Sequence, residues 1–525
     1  MKKELSRRQL LNFIGRAGGS AALFHAAGIL GLTSIPVQAS PLKLKPLNGK
    51  KRSVVILGAG ISGLTSAYEL SRAGYQVTVL EASHRAGGRN FTVRHGDFID
   101  EFGNPQICKF DDQPHLYMNC GPARIPAHHT GLMHYCRELG VELMLFSNDN
   151  VNCYTQDDQA FGGKPVRIRE YRADIRGFMS ELLGKTMASA KHLDAPFDEV
   201  ELEKMMAFVK AYGDLGSDMK YHGSERAGLV SGGFVSEPVI KDPLRFADLM
   251  QSNYWAGALN FAEAVDQAPA MLTPVGGMDH VVKGFLKKVK DKITLKAQVQ
   301  KVWLDDDGVE VSYLQDGARK AIRADYCINC IPTHIMAGIE NNFPSDYAEV
   351  LGKIQRGKLF KIGFQAKERF WEKEQIYNGI SWTNQDITQI WYPEHSPLTQ
   401  KGVFLGAYTW DPEVGDRFAR MSNEERMQEA IRQGSKVHKD YGSHIETGVT
   451  ICWQRMNHMM GCSSVWPEEI QEKFALMQAP AGGRHYMVGD QISHHSGWQE
   501  GAIRSAWHAL ADIETKEARR SKEAS

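Results

Sequence analysis

The chain has 525 residues, of which 42% are hydrophobic and 24% are charged. This length exceeds what one hydrophobic core serves and predicts two or three domains. Lys and Arg together number 62, as do Asp and Glu, so the balanced charge provides no global field that would favour nucleic acid or an anionic membrane surface.

The first segment, residues 1–39, is predicted to be a twin-arginine export signal. Residues 6–11 (SRRQLL) resemble the twin-arginine motif, a weakly apolar stretch rich in Gly and Ala follows, and residues 37–39 (VQA) form a small-residue cleavage site. Arg16 and His25 interrupt the apolar stretch, which disfavours a membrane-spanning helix. We therefore expect the twin-arginine machinery to export the folded protein, which would be periplasmic or secreted. The alternatives are an uncleaved anchor and a basic start without signal function.

The next segment has the pattern of a strand, a turn, a helix and a second strand. An apolar run (VVIL) leads into Gly58-x-Gly60-x-x-Gly63, and Gly74 is predicted to end the helix that follows. Gly58 permits the tight turn, Gly60 lets the backbone approach a pyrophosphate, and Gly63 lets the helix pack close to the strand. The unit predicts a Rossmann-like dinucleotide-binding domain.

Two further features fit a dinucleotide. The helix N-terminus, where Ser62 lies, offers free N–H groups and a positive dipole end to phosphates. Glu81 stands 18 residues after Gly63, at the end of the second strand, where a carboxylate accepts hydrogen bonds from ribose hydroxyls. Ala82 follows it and is expected to contact the same ligand.

The glycines just past the second strand indicate that the dinucleotide is a flavin rather than a nicotinamide. Gly87, Gly88 and Arg89 place two flexible residues beside a guanidinium, which is a good donor to a pyrophosphate. This arrangement resembles the FAD-binding flavin amine oxidase superfamily, which includes monoamine oxidases, polyamine oxidases and L-amino acid oxidases. The resemblance implies FAD as the cofactor, with Gly88 and Arg89 among its contacts.

The resemblance also implies the architecture. We expect an α/β chain, α+β overall, in which a Rossmann-like FAD-binding domain is combined with a mixed-sheet substrate domain and a helical insertion. Val299, in the second part of the FAD domain, would lie against the adenine. The expected partition is residues 50–115, 276–332 and 475–515 for the FAD domain, 116–130, 236–275 and 333–474 for the substrate domain, and 131–235 for the helical domain.

Residues 121–126 (GPARIP) resemble a motif of L-amino acid oxidases in which the arginine binds the substrate carboxylate. The planar guanidinium of an arginine can donate two parallel hydrogen bonds to a carboxylate, so Arg124 suits this role. Ala123 would contact the cofactor. Tyr408 falls where the same family has a second donor to the carboxylate. Together the two residues predict a carboxylate clamp, which distinguishes an α-amino acid from a simple amine. The alternatives are a surface arginine in a turn and a tyrosine of the core.

Lys361 lies inside an apolar strand pattern, LFKIGF. Lysine is rarely buried without a partner, so this placement indicates a function. The family resemblance implies a lysine that holds a water against flavin N5 and assists the reaction with oxygen. The alternative is an edge-strand lysine that faces solvent.

The C-terminal part resembles the closing motif of the same family. Asp490 would accept from the ribityl or pyrophosphate region, and Gly489 beside it would contact the cofactor. The carbonyl of Gly497 would meet the substrate amine, and Trp498 would form a wall beside the flavin. Residues 461–463 (GCS) stand near the Gly-Cys-Tyr of monoamine oxidases, whose cysteine is bonded to FAD. Because Ser463 replaces the tyrosine, the aromatic cage for free amines would be one-sided. We expect non-covalent FAD, with a covalent link to Cys462 as the alternative.

The remaining cysteines and histidines predict no separate chemistry. Cys327-x-x-Cys330 lies in a pattern typical of a buried strand, so we interpret it as packing, because a reactive thiol needs a cation or a helix N-terminus nearby. His128-His129 and His494-His495 lack the spacing that places two imidazoles on one helical face. The sequence therefore predicts no metal site.

These features predict a bacterial-type, FAD-dependent L-amino acid oxidase. It would oxidise L-amino acids, with a preference for large neutral side chains, to 2-oxo acid, ammonia and hydrogen peroxide, with O2 as second substrate. The resemblance implies hydride transfer from Cα to flavin N5 and names no general base. An amine or polyamine oxidase, an amino acid monooxygenase and a flavin-binding protein without turnover are the alternatives. The oligomeric state stays open, a homodimer included.

Overall fold

The computed structural model of the chain describes residues 41–47, 51–188 and 199–523. The predicted export signal at residues 1–39 lies outside the described residues. The fold is mixed α/β, as the sequence predicts, and it is organised around two large sheets. Within the part of the chain that the structure describes, no helix is long and apolar enough to cross a membrane.

The first large sheet has five strands, all parallel. Both of its faces are covered, which explains the near-continuous apolar run of its central strand. Val54 and Ile56 pack on one face against helices, whereas Val55 and Leu57 pack on the other face against a four-stranded sheet. Its strands, in spatial order, are Ile293–Thr294, Gln76–Leu80, Ser53–Leu57, Tyr326–Asn329 and His485–Met487. The four-stranded sheet has the order Ala318–Ala324, Val309–Gln315, Ala297–Leu304 and Glu340–Asn341.

The second large sheet has seven strands and mixed pairing. It separates one hydrophobic core, which contains Phe360, Ile362 and Phe364, from another, which contains Leu405 and Ile451. Its strands, in spatial order, are Val166–Arg167, Tyr154–Gln156, Gly379–Thr383, Gln389–Tyr392, Gly402–Thr409, Phe360–Ala366 and Ile445–Cys452.

The structure also contains smaller sheets. A three-stranded sheet has the order Ile125–Pro126, Met271–Pro274 and Leu143–Phe146. The two-stranded pairs are Leu229–Ser231 with Val239–Ile240, Gln355–Arg356 with Ser464–Val465, Thr92–Val93 with Met118–Asn119, and Phe98–Ile99 with Gln106–Ile107.

The helices cover the outer faces of the sheets. Those of the described residues are Ile61–Arg72, Thr130–Glu138, Ile168–Ala188, Glu199–Gly213, Phe246–Gln251, Tyr254–Gly257, Asp279–Val289, Thr333–Met336, Ser345–Lys353, Phe370–Lys373, Pro412–Arg420, Asn423–Gly434, Tyr441–His444, Phe474–Gln478 and Gln499–Glu523. The helix after the glycine turn ends where the sequence predicts, since Gly74 has a φ of 90° and its N–H donates to the carbonyl of Ser71.

The structure corrects the extent of the helical segment predicted for residues 131–235. Helices Ile168–Ala188 and Glu199–Gly213 lie within it, but residues 143–167 contribute strands to the three-stranded and seven-stranded sheets. Those strands are two to four residues long, too short for a clear period-2 pattern. The division into three domains stays a prediction.

One buried ion pair fastens the helix Asn423–Gly434 to the body of the protein. The Nη2 atom of Arg426 lies 2.6 Å from Oε1 of Glu101, and both side chains are 0% exposed. The other oxygen of Glu101 accepts a hydrogen bond of 3.1 Å from the N–H of Cys452. Breaking such a pair from one side leaves an uncompensated buried charge.

Arg426→Met should lower the free energy of unfolding by about 3–5 kcal/mol, because Glu101 then loses its cation. The measurement is the denaturant midpoint and slope of the purified holoprotein. Arg432→Met on the same helix is the matched control, since the Arg432 side chain is 60% exposed and its loss should change the free energy by less than about 0.5 kcal/mol. Equal midpoints for the two variants would contradict the assignment.

Candidate active site

The glycine turn has the geometry that the sequence predicts. Gly58 has a φ of 100°, a conformation that a residue with a side chain rarely adopts. A Cβ atom added to Gly63 would lie 2.0 Å from the carbonyl oxygen of Gly58, so the helix approaches the strand too closely for any other residue. A Cβ atom on Gly60 would meet nothing within 4 Å, because this residue faces open space. The backbone at Gly60 is therefore accessible to a ligand.

Glu81 organises this turn. Its carboxylate accepts hydrogen bonds of 2.7 Å from the N–H of Ala59 and 2.8 Å from the N–H of Ser83. Each oxygen thus keeps lone pairs for a further donor. The residue lines the adjoining cavity together with Ala82, where the sequence places ribose hydroxyls.

Two cavities meet at this turn and form one elongated space. The first has a volume of about 370 Å³ and the second about 500 Å³, and both are lined by Gly60 and Gly88. Nearly all the predicted site residues line one cavity or the other. The first contains Gly58, Gly60, Glu81, Ala82, Gly88 and Val299, and the second contains Gly60, Ser62, Gly88, Arg89, Ala123, Arg124, Tyr408, Gly489, Asp490, Gly497 and Trp498. The exceptions are Gly63, which acts through packing, and Lys361, which lies behind the wall.

Arg89 and Asp490 form a bidentate ion pair, which the sequence analysis did not foresee, since it assigned each a separate contact with the cofactor. Arg89 also donates a hydrogen bond of 2.7 Å to the carbonyl of Cys462. Asp490 accepts one of 2.8 Å from the N–H of Gly497. The pair therefore links the Gly-Gly-Arg turn to the closing motif and fixes the loop that carries Trp498.

A second arginine, Arg356, adds an uncompensated charge to this wall, and sequence reasoning missed it because no motif surrounds it. Burial and the neighbouring charge of Arg89 lower the pKa of Arg356 to about 10. Its Nε atom is buried without a hydrogen-bond partner. Asp490 balances one of the two guanidinium charges and leaves the other. An anionic group in the cavity would compensate this charge.

These observations fit an elongated dinucleotide such as FAD. The turn at Gly60 is open to a diphosphate, the charge near Arg89 and Arg356 is positive, and the space extends in both directions. Val299 lines the end of the space where the sequence analysis expects adenine. Arg124 and Tyr408 line the opposite part.

Among the described residues, no carboxylate forms an ion pair with the cation Arg124. The residue is 8% exposed, so the alternative of a surface arginine in a turn is excluded. Its Nε and Nη2 atoms donate hydrogen bonds of 3.0 and 2.7 Å to one acceptor, the amide Oε1 of Gln267. The guanidinium lies between the rings of Trp391 and Trp498, at 4.7 and 5.5 Å from their centroids. Burial lowers the pKa of Arg124 below its ordinary value, so an anion at this position would be strongly stabilised.

A β-bulge aims Tyr408 at the same place. Along its strand Val403 and Leu405 face the core that contains the site, but Ala407 faces the opposite core. The register shifts by one residue between Leu405 and Ala407, so that Tyr408 returns to the side of the site. Burial raises the pKa of Tyr408 above its ordinary value, and the charge of the neighbouring Arg124 opposes this shift. The two predicted members of the clamp are therefore brought together.

Lys361 stands directly opposite Tyr408 in the sheet register. It is 1% exposed, and its strand lies between two others, so a solvent-facing edge lysine is excluded. Its Nζ donates hydrogen bonds of 2.6 Å to the carbonyl of Gly121 and 3.3 Å to that of Asn119. Burial, followed by the charge of Arg124, lowers the pKa of Lys361 to about 7. The lysine therefore supports the cavity wall and titrates near neutral pH.

The cysteine motif serves packing, whereas three of the four motif histidines form a cluster. Cys327 is fully buried in the central sheet, and burial raises its thiol pKa well above the ordinary value, which confirms the packing interpretation. The pair His494-His495 is divided, whereas His128 and His129 stay together. His494 stacks on Phe474 with ring centroids 4.0 Å apart, and His495 joins His128 and His129 around Asp266.

Comparisons with known proteins agree with this geometry. A family model described as flavin containing amine oxidoreductase matches residues 61–513. An L-amino-acid oxidase of Pseudechis australis is 26% identical over 497 residues, which cover 89% of this chain and 88% of the relative. An L-amino-acid oxidase of Gloydius halys is 27% identical over 486 residues, which cover 88% and 89%.

Solved structures agree in fold. A redesigned putrescine oxidase superposes with a TM-score of 0.61 at 19% identity, covering 89% of this chain and 99% of its own. The cyclohexylamine oxidase of Brevibacterium oxydans superposes with a TM-score of 0.60 at 18% identity, covering 89% and 99%. At these identities the likeness concerns the fold.

The glycine turn yields a paired prediction. Gly60→Ala should leave the chain folded, because the new methyl group meets no protein atom, yet it should weaken FAD binding about tenfold or more by displacing diphosphate from the backbone donors. Gly63→Ala should lower both stability and FAD content, because its methyl group collides with Gly58. Titration with FAD and thermal unfolding separate the two effects. A Gly60→Ala protein with wild-type FAD affinity would refute the contact.

Proposed function

The chain belongs to the flavin-containing amine oxidoreductase family, and from this premise we propose that it is an FAD-dependent L-amino acid oxidase. It converts an L-amino acid, water and O2 to a 2-oxo acid, ammonia and hydrogen peroxide. The observation that carries the proposal is Arg124, whose buried guanidinium has a neutral amide oxygen in the position of an anion.

The chain's own residues bind and orient the substrate. Arg124 and Tyr408 hold the carboxylate from two sides, and the carboxylate takes the place of the Gln267 amide. Gly497, whose N–H is fixed by Asp490, presents its carbonyl to the neutral amine, and Trp498 limits the space beside it. Holding the Cα–H bond in one orientation supplies much of the rate. Bound FAD supplies the two-electron oxidation.

The preference for large neutral side chains rests on the surroundings of the clamp. Phe261 and Trp410 line the second cavity and also a neighbouring cavity of about 290 Å³. That neighbouring space is lined mainly by uncharged residues, among them Tyr254 and Trp382. A large apolar side chain would extend into it from the clamp.

An amine oxidase is the second candidate, and the solved neighbours favour it by fold alone. An amine without a carboxylate leaves Arg124 buried and unpaired, which is costly. An amino acid monooxygenase would use the same clamp but would release an amide and little peroxide. We also propose that the protein is exported and acts in the periplasm or outside the cell, a proposal that rests on the sequence of residues 1–39.

The clamp is tested with Arg124→Met. The change should lower kcat/KM for L-amino acids by a factor on the order of a hundred, because the anchoring of the carboxylate is lost. This factor corresponds to a loss of about 3 kcal/mol of transition-state stabilisation. Tyr408→Phe keeps the ring and should cost about tenfold. The measurements are steady-state peroxide production and anaerobic bleaching of the yellow protein by L-amino acids, D-amino acids and the matching amines.

In the wild-type protein L-amino acids alone should bleach the flavin. Bleaching by amines alone, or an Arg124→Met protein with unchanged kinetics, would overturn the carboxylate assignment. Bleaching by none of the compounds would favour the flavin-binding protein without turnover.

Lys361 predicts a pH dependence of the reaction with oxygen. Its pKa is about 7, so the ammonium is charged below this pH and neutral above it. A positive charge beside the flavin favours electron transfer to O2. The reoxidation rate constant, measured by stopped flow, should therefore fall as pH rises through about 7, and Lys361→Met should be slow and independent of pH. An unchanged pH profile in Lys361→Met would remove Lys361 from this step.

We also propose that FAD is bound non-covalently. Cys462 lines the second cavity, but the neighbouring residue is Ser463, unlike the tyrosine of the covalently linked enzymes. Acid precipitation should release all the yellow colour into the supernatant. Colour that stays in the pellet of the wild-type protein and is lost from the pellet of Cys462→Ser would establish the covalent link instead.

A further inference from the structure

Strand pairing gathers three histidines and an aspartate that lie far apart in the sequence. Met271 pairs with Pro126 in antiparallel register, so the residues after Pro126 run alongside the residues before Met271. His128 and His129 therefore meet Asp266. The closing motif, fixed by the hydrogen bond from Gly497 to Asp490, brings His495 to the same point.

The donor atoms of these residues converge. The Nε2 atoms of His128, His129 and His495 lie 2.9, 3.1 and 3.3 Å from one oxygen, Oδ1 of Asp266. The Nε2 atoms of His129 and His495 are 3.1 Å from each other. Each Nε2 atom carries at most one proton, so no combination of neutral tautomers satisfies all four of these contacts at once. A cation at the centre would satisfy all of them.

We propose that His128, His129, His495 and Asp266 form a site for a divalent transition-metal ion of the zinc class. A tetrahedral ion with ligands at about 2.0–2.1 Å has ligand–ligand distances of about 3.3 Å, close to the four spacings given above. Imidazole with one carboxylate suits Zn²⁺, Co²⁺ or Ni²⁺ and does not suit Mg²⁺ or Ca²⁺, which prefer oxygen ligands.

The site has an anchored member and an open side. The His129 side chain is 2% exposed and its ring packs against Trp498, with centroids 5.1 Å apart. The side chains of His128, Asp266 and His495 are 39%, 27% and 35% exposed. An ion would thus enter from solvent and meet a preplaced ligand.

A metal ion bound at this site would affect the binding of the substrate at Arg124. Asp266 is followed in the chain by Gln267, whose Oε1 accepts from Arg124 and also from Nδ2 of Asn148 at 3.0 Å. A bound ion would hold Asp266, and with it the backbone that keeps Gln267 in the carboxylate position. The ion should therefore oppose substrate binding.

Metal binding is tested directly on the tag-free holoprotein. Titration with Co²⁺, followed by visible absorption, and competition with Zn²⁺ against a chromophoric chelator should show one ion per chain at this site. His129→Asn, Asp266→Asn and His495→Asn should each weaken binding about tenfold or more, since each removes a ligand. His494→Asn is the matched control, because His494 neighbours the cluster in sequence and stacks on Phe474 instead.

FAD content and thermal unfolding of each variant verify that the fold is intact. Wild-type protein without tight binding would overturn the proposal. So would binding that is lost equally in His494→Asn and His129→Asn, because the ligands would then lie elsewhere.

A second readout concerns the coupling to Gln267 and rests on the proposed function. Zn²⁺ should raise KM for the amino acid several-fold with little change in kcat, and His129→Asn should abolish the effect. Binding of the ion without a change in KM would overturn the coupling and leave the metal site in place. Failure of the oxidase activity itself would leave the binding titration fully interpretable.

Discussion

Buried positive charge is the constraint on which the rest of the site depends. Arg89 and Arg356 face one part of the cavity with Asp490 as their shared carboxylate, and Arg124 faces another part with a neutral amide. Low-dielectric surroundings make each unpaired charge costly in the ligand-free chain. That cost is offset when a diphosphate lies near Arg356 and a carboxylate lies on Arg124. We therefore propose two anion sites of different geometry in these adjoining cavities.

Both large sheets contribute residues to the lining of this space. The five-stranded sheet supplies the glycine turn and Glu81 at the ends of its strands, where open α/β sheets bind ligands. The seven-stranded sheet supplies Lys361 and Tyr408 from neighbouring strands in direct register. Tyr408 faces the site because of the bulge beside Gly406, and without that extra residue its ring would point into the opposite core.

The pairing of Met271 with Pro126 brings the chain before Met271 alongside the chain after Pro126. The amide oxygen of Gln267 accepts from Arg124, so a residue of the chain itself occupies the position that we propose for the substrate carboxylate. The histidines that follow Pro126 meet Asp266. The proposed substrate anchor and the proposed metal site are joined in this way through two consecutive residues.

The sequence alone determined those features that are formed by residues adjacent in the chain. The glycine turn, Glu81 and the helix that ends at Gly74 follow from local steric rules, and the family resemblance predicts Arg124 and Lys361 as site residues. Only the tertiary structure decided which distant groups meet. The ion pair of Arg89 with Asp490, the orphaned charge of Arg356, and the histidines around Asp266 depend on strand register and on a bulge. Such features are set by long-range packing, for which no run of neighbouring residues carries a signal.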